Sequence, residues 1–204
     1  MANQPSLSLR LVDGMQLDER VRGALRPGGF MRDRQGRARR LPRYFYEVPS
    51  WDVALATELT PHFGLWELLD VDFREAEPMR TFPRYVPCAI VLLATHLEVL
   101  REKVGTVVRV AANGGYRSPS HALSEAASAH SWGTAANIYR IGDEMMDSPE
   151  KIDRYSRLAR EVLPGIWSRP FGAGAGFAFD HVHLDLGYAT VVPHDAPSEG
   201  EEEG

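Results

Sequence analysis

Near its C-terminal end the chain reads GAGAGFAFDHVHLDLG, and within that stretch His181-Val182-His183-Leu184-Asp185 alternates polar and apolar residues. Successive side chains of a β-strand point to opposite faces. The alternation therefore puts His181, His183 and Asp185 on one face and Val182 and Leu184 on the other. Two imidazoles on one strand face, backed by an apolar face, supply what a metal site needs: rigid nitrogen donors aimed in advance. Histidines on a half-exposed strand also occur as plain surface polar residues, so the rest of the chain has to decide. The glycine run at 172–176 precedes no Gly-Lys-Ser/Thr and opens no helix, so it reads as a strand with close backbone approach and not as a phosphate loop.

The chain has 204 residues, 44% hydrophobic and 25% charged, which suits one soluble domain with elaborations. Cys88 is the single cysteine, so no intrachain disulfide forms. It sits at an apolar helix start, where inert packing is the expectation. The opening MANQPSLSLRLVDG lacks a charged region followed by an apolar run and does not read as a secretory signal. The longest apolar run, about Val86 to Ala94, is too short to span a bilayer. Synthesis in the cytoplasm without a signal peptide is the expectation.

Read in order, residues 1–58 form an N-terminal extension, with weak helical spacing through Leu9, Leu11, Leu17, Val21 and Leu25 and then the basic stretch RDRQGRARRLPR. The basic stretch reads as a solvated loop or a dock for an acidic partner before it reads as a contact with an anionic polymer, because no nucleic-acid motif accompanies it. Residues 59–192 carry the regular patterning. Thr60 stands as a cap before a short helix around Trp66-Glu67-Leu68-Leu69. A helix from Cys88 to Lys103 has Ile90, Leu93, Leu97 and Leu100 on one face and Gly105 as its stop. Thr106 to Ala111 reads as a strand, Ala122 to Ala127 as a short helical stretch, Ala135 to Ile141 as a strand, and Ser148 to Leu163 as a capped helix. Residues 193–204 read as a disordered acidic tail. The sum is an α+β domain with a small antiparallel sheet packed with helices.

The second signal is Ser128-Ala129-His130-Ser131-Trp132-Gly133-Thr134-Ala135-Ala136-Asn137, preceded by the turn Gly115-Tyr116-Arg117-Ser118-Pro119. With the His181–Asp185 strand, these pieces resemble the D-Ala-D-Ala carboxypeptidase and endopeptidase family of zinc peptidases, whose fold is shared with hedgehog signalling domains. The resemblance covers roughly residues 60 to 190 and includes the segments HFGLWELL and Leu97 to Gly105. It implies a hedgehog-type fold, a zinc cofactor and hydrolysis of a peptidoglycan stem-peptide or cross-link amide, at a D-amino acid bond. It implies His130 and His183 as zinc ligands and Asn137 at the position of the third. Arg117 matches the arginine that holds a substrate carbonyl or carboxylate and steadies the oxyanion. Ser118 and Ser128 fall to substrate binding, and His181 and Asp180 to general-base catalysis. Asp185 falls to orienting the ligand strand.

Asn137 departs from the family, which has an aspartate there. An amide oxygen is neutral and a poorer zinc donor than a carboxylate, so zinc is expected to be weakly held or absent. Three readings follow: an enzyme with a weakened ligand, a site completed by Asp143 or Asp180, or a catalytically inactive peptidase-like domain. In the last reading the chain is a structural or cell-wall-binding component of a phage-like or other assembly, docked through its N-terminal extension. Action at the cell wall, for a chain made without a signal, implies release or injection, as in endolysin-like proteins.

Overall fold

The computed structural model describes residues 8–172 and 178–196. The chain forms β1 (Arg10–Asp13), α1 (Glu19–Leu25), β2 (Phe30–Arg32), β3 (Ala38–Arg40), β4 (Tyr44–Val48) and α2 (Trp51–Ala56). Then follow β5 (Glu58–Thr60), β6 (Phe63–Gly64), α3 (Leu65–Leu69), α4 (Glu77–Arg80), β7 (Arg84–Pro87) and α5 (Ile90–Val104). The last third contributes β8 (Val108–Val110), β9 (Ala135–Ile141), β10 (Glu144–Met145), α6 (Pro149–Val162), β11 (Trp167–Ser168) and β12 (Val182–Asp185). The class is α+β, with small antiparallel sheets packed with helices.

Local chemistry accounts for the boundaries of the helices that carry the fold. In α5 the side chains of Ile90, Leu93, Ala94, Leu97 and Leu100 are all buried, the spacing of one helical face, and Gly105 at φ 66° ends it in the left-handed region. In α6 the Ser148 hydroxyl accepts the Lys151 N–H at 3.4 Å and Pro149 occupies the first turn, where its missing N–H costs nothing. The Asp18 carboxylate caps α1 by accepting the N–H groups of Arg20 and Val21 at 3.0 and 3.1 Å.

In the site-bearing sheet, β9 pairs antiparallel with β8, β10 and β12, and β11 pairs with the other edge of β12. The β9–β12 register sets His183 opposite Asn137, Leu184 opposite Ala136 and Asp185 opposite Ala135. Val182 and Leu184 are fully buried, as the alternation predicts. A second sheet joins β1, β4 and β7, with Phe45 opposite Pro87. Through it Val12, Leu25, Phe45 and Val48 enter the same buried cluster as Leu68, Leu93, Ile138 and Leu184. The described part of residues 1–58 is thus continuous with the core beneath the site.

Several local expectations are corrected. The span Leu9–Leu25 is a strand, a single 3-10 turn and α1, not one helix; strand pairing of Leu11 with Tyr46 outweighs the weak helical spacing. The arginine-rich stretch is the β2–β3 hairpin, not a free loop. Ala122–Ala127 is not helical, because its amides go elsewhere: Ala122 to the Arg74 carbonyl, Ser124 to His121 and Ala127 to Arg32. Thr60 lies in β5, and α3 begins after Gly64, whose N–H donates to the Glu67 carboxylate at 3.2 Å. Most of the glycine run and the last eight residues of the acidic tail, 197–204, lie outside the described residues. No helix among the described residues is long and apolar enough to cross a membrane.

Candidate active site

A cleft of about 830 Å³ opens over the β9–β12 pair. Arg117, Ser128, His130, Asn137, His181, His183 and Asp185, all singled out from sequence, line it together.

His130 is placed by the turn before it. Gly115 packs so closely on α3 that a Cβ there would lie 2.3 Å from the Leu68 carbonyl oxygen, so only glycine fits. That approach lets the Tyr116 N–H donate to Leu68 O at 2.8 Å and leaves the Gly115 carbonyl facing His130. His130 Nδ1–H donates to it at 2.7 Å. With its proton spent there, Nε2 of His130 is a bare lone pair, buried and without a hydrogen-bond partner among the described residues. Burial first, and then the neighbouring Arg117 charge, hold the His130 pKa well below the ordinary histidine value, so the ring stays neutral.

His183 stands edge-on to His130, ring centroids 5.2 Å apart, with Trp167 packed 5.6 Å away on its other flank. Two oxygens face it: Asn137 Oδ1 lies 2.8 Å from Nδ1, and Asp185 Oδ2 lies 3.0 Å from Nε2. Burial lowers the His183 pKa to about 4, so at neutral pH the ring has one proton for two acceptors. A carboxylate accepts more strongly than an amide, so Nε2–H donates to Asp185. The Nδ1 lone pair then faces the Asn137 amide. A cation, or a rotated amide presenting its NH2, relieves that opposition of lone pairs.

His181 follows the same pattern. Its Nδ1–H donates to Asp180 at 2.6 Å, its Nε2 is buried without a partner, and burial lowers its pKa. All three imidazoles are therefore anchored by one nitrogen to an oxygen, with a lone pair on the other. That arrangement is how proteins orient metal-ligating and base histidines. No group of three or more His, Cys, Asp or Glu side chains among the described residues stands so as to hold a metal ion. The donor set left is His130 Nε2, His183 Nδ1 and the Asn137 amide oxygen. By donor type and tautomer these fit zinc; by charge they fit it less well than a set with a carboxylate would.

Arg117 is 7% exposed, and its Nε has no partner among the described residues. Burial, followed by the charges of Arg169 and Arg74, lowers its pKa to about 10, which leaves it a cation at neutral pH. Ser128 lines the cleft just before the 3-10 turn that carries His130.

Three sequence expectations are not met. Ser118 is fully buried and does not reach the cleft: its hydroxyl donates to Glu75 at 2.6 Å and its N–H to the same carboxylate at 2.9 Å. It fixes the turn that presents Arg117. Asp143 is fully exposed beside Arg140 and is not among the cleft residues, so it completes no ligand set. Asp180 also lies at the surface, where it orients His181 and is itself no ligand. Glu75, Trp167, Arg169 and Arg34 were not legible as site residues. Glu75 and Arg34 come from segments distant in sequence, and Trp167 and Arg169 are placed only by the β11–β12 pairing.

Comparison of the chain with protein-family models, with curated proteins and with solved structures found no match.

Proposed function

We propose that this chain is a zinc-dependent peptidase of the D-Ala-D-Ala carboxypeptidase and endopeptidase type, with a hedgehog-type fold, acting on peptidoglycan stem-peptide or cross-link amides. The single observation that carries the reading is the Nε2 lone pair of His130, buried without a partner and 5.2 Å ring-to-ring from His183, whose own proton is directed away to Asp185. A buried polar atom left unpaired costs about 1–3 kcal/mol, and a fold retains such an atom where a water, an ion or another ligand satisfies it.

In this reading His130, His183 and Asn137 hold zinc. The chemistry zinc supplies in such a site is Lewis acidity toward a carbonyl oxygen and toward water. His181 is the general base: Asp180 holds its Nδ1–H, and burial keeps Nε2 free to take a proton at neutral pH. Arg117 supplies a fixed positive charge for the substrate oxygen on which negative charge develops. Trp167 and Leu123, exposed and lining the cleft, offer apolar walls to substrate side chains.

A second reading rests on Asn137. The amide is neutral and, rotated, can satisfy His183 by itself, so that pair closes without a metal and the domain can serve as a peptide-binding or structural part. Elemental analysis of protein purified without added metal or chelator separates the two. The expected result is about one zinc per chain, lost in His130→Ala, together with release of D-alanine from a peptide ending in D-Ala-D-Ala. Absence of metal after incubation with zinc overturns the peptidase.

A further inference from the structure

The β2–β3 hairpin lies outside the peptidase resemblance, yet its tip reaches the candidate site: Arg34, Gln35 and Arg37 line the same cleft as Arg117 and His183. The hairpin is pinned there at several points. The Trp132 indole N–H donates to Arg40 O at 2.8 Å, Ala127 N–H donates to Arg32 O at 2.9 Å, and the Arg39 guanidinium stacks 4.8 Å from the Tyr188 ring centroid. Asp33, its side chain buried, accepts from Arg37 Nε at 2.8 Å, Arg39 Nε at 3.0 Å and the Arg37 backbone N–H at 2.9 Å. The turn is therefore built, and Arg37 and Arg39 share its one carboxylate.

Arg34 is the exception. It has no ion pair or hydrogen-bond partner among the described residues, and it stands near enough to Arg169 for the two like charges to oppose each other. Arg169 is half-buried, its Nε has no partner among the described residues, and its charge in turn bears on Arg117. Of the carboxylates in the cleft, Asp185 accepts from His183 and from the Gly187 N–H and offsets part of the Arg169 charge, and Glu125 is the one other. Three guanidinium groups crowded along one cleft, two with buried unpartnered nitrogens, form a site for more than one oxyanion.

We propose that Arg34 and Arg169 form a second oxyanion subsite beside Arg117, and that the cleft selects acidic peptides, those carrying a side-chain carboxylate as well as a free C-terminal carboxylate. The C-terminal carboxylate or the reacting carbonyl meets Arg117, and the second carboxylate bridges Arg34 and Arg169. The inference rests on the peptidase reading for the peptide class. The subsite itself requires neither zinc nor hydrolysis.

The test is calorimetric binding, without added zinc and at low ionic strength, of N-acetyl-Glu-Ala-D-Ala, of its Gln counterpart and of inorganic phosphate. Wild-type protein is compared with Arg34→Ala, Arg34→Lys and Arg169→Ala. The Glu peptide is expected to bind about tenfold tighter than the Gln peptide, the worth of one charge-assisted hydrogen bond. Arg34→Ala and Arg169→Ala should bring the ratio of Glu-peptide to Gln-peptide affinity close to one, and Arg34→Lys should retain part of it. Equal binding of the two peptides, no binding of either, or equal weakening of both in Arg34→Ala overturns the subsite. Phosphate binding as tightly as the Glu peptide, with the same dependence on Arg34, overturns the assignment to acidic peptides. Selective binding without hydrolysis leaves the subsite standing and counts against the peptidase; zinc-dependent hydrolysis without preference does the reverse.

Discussion

At the scale of single residues the site turns on one proton. His183 has Asn137 on one nitrogen and Asp185 on the other, and a neutral ring can donate to only one of them. Replacing Asn137 by aspartate puts a formal negative charge beside the Nδ1 lone pair without changing side-chain shape. Asn137→Asp is therefore expected to raise zinc affinity by about tenfold or more, each factor of ten corresponding to about 1.4 kcal/mol, as read by competition with a chromogenic chelator. Unchanged zinc affinity would remove Asn137 from the ligand set. The pairing of His183 with Asn137 was half legible: alternation gave the strand face, and the small residues after Gly133 gave a strand nearby. The tautomers were not legible, since they depend on Gly115 O and Asp185 being within reach. Ser118 misled because a hydroxyl in a turn shows nothing in sequence of which acceptor it will meet. Here the acceptor is Glu75, 43 residues earlier.

At the scale of elements, the turn of the β2–β3 hairpin is organised by a single buried carboxylate, Asp33. Burial pushes the Asp33 pKa up, but the Arg37 backbone N–H and the guanidinium groups of Arg39 and Arg37 outweigh it and hold the pKa at about 2, below the ordinary 3.8. The sign follows from linkage: in the unfolded chain Asp33 takes up its proton near pH 3.8, in the folded hairpin only near 2, so its contribution is full above 3.8 and lost as pH falls through 2. The Trp132 indole N–H, bonded to Arg40 O, reports on the docked hairpin. Its protection from hydrogen exchange is expected to hold down to about pH 4 and to fall between there and about pH 2. In Asp33→Asn it should already be reduced at neutral pH. Protection unchanged by the substitution would show that Trp132 and Leu41, not Asp33, hold the hairpin down. None of this could be read from RDRQGRARRLPR, where six arginines obscure the one aspartate that organises them. The long helices were legible because their apolar spacing, caps and stops agree; Ala122–Ala127 was not, because the amides of Ala122 and Ala127 are claimed by segments distant in sequence.

At the scale of the whole molecule, the resemblance ends near residue 60, but the packing does not. Strand β4 lies between β1 and β7, and its Phe45, 2% exposed, joins Val12 and Leu25 to the cluster that also holds Leu93 from α5 and Leu184 from β12. One continuous core means that damage in the first fifty residues reaches the site as lost stability of the sheet carrying His183. Phe45→Ala is expected to cost about 3–5 kcal/mol, the range for truncating a buried phenylalanine. Read by urea unfolding, the cost should appear as a lower midpoint of a single transition, with near-ultraviolet circular dichroism of the buried Trp132 and far-ultraviolet helix signal moving together. An independently folding extension would give two transitions, with the signal from α5 and α6 unmoved by the substitution. The coupling also bears on the proposed oxyanion subsite. The hairpin that carries Arg34 packs through Met31 and Leu41 into a second, smaller buried cluster with Ala127 and Trp132, so its position over the cleft is tied to the turn that carries His130.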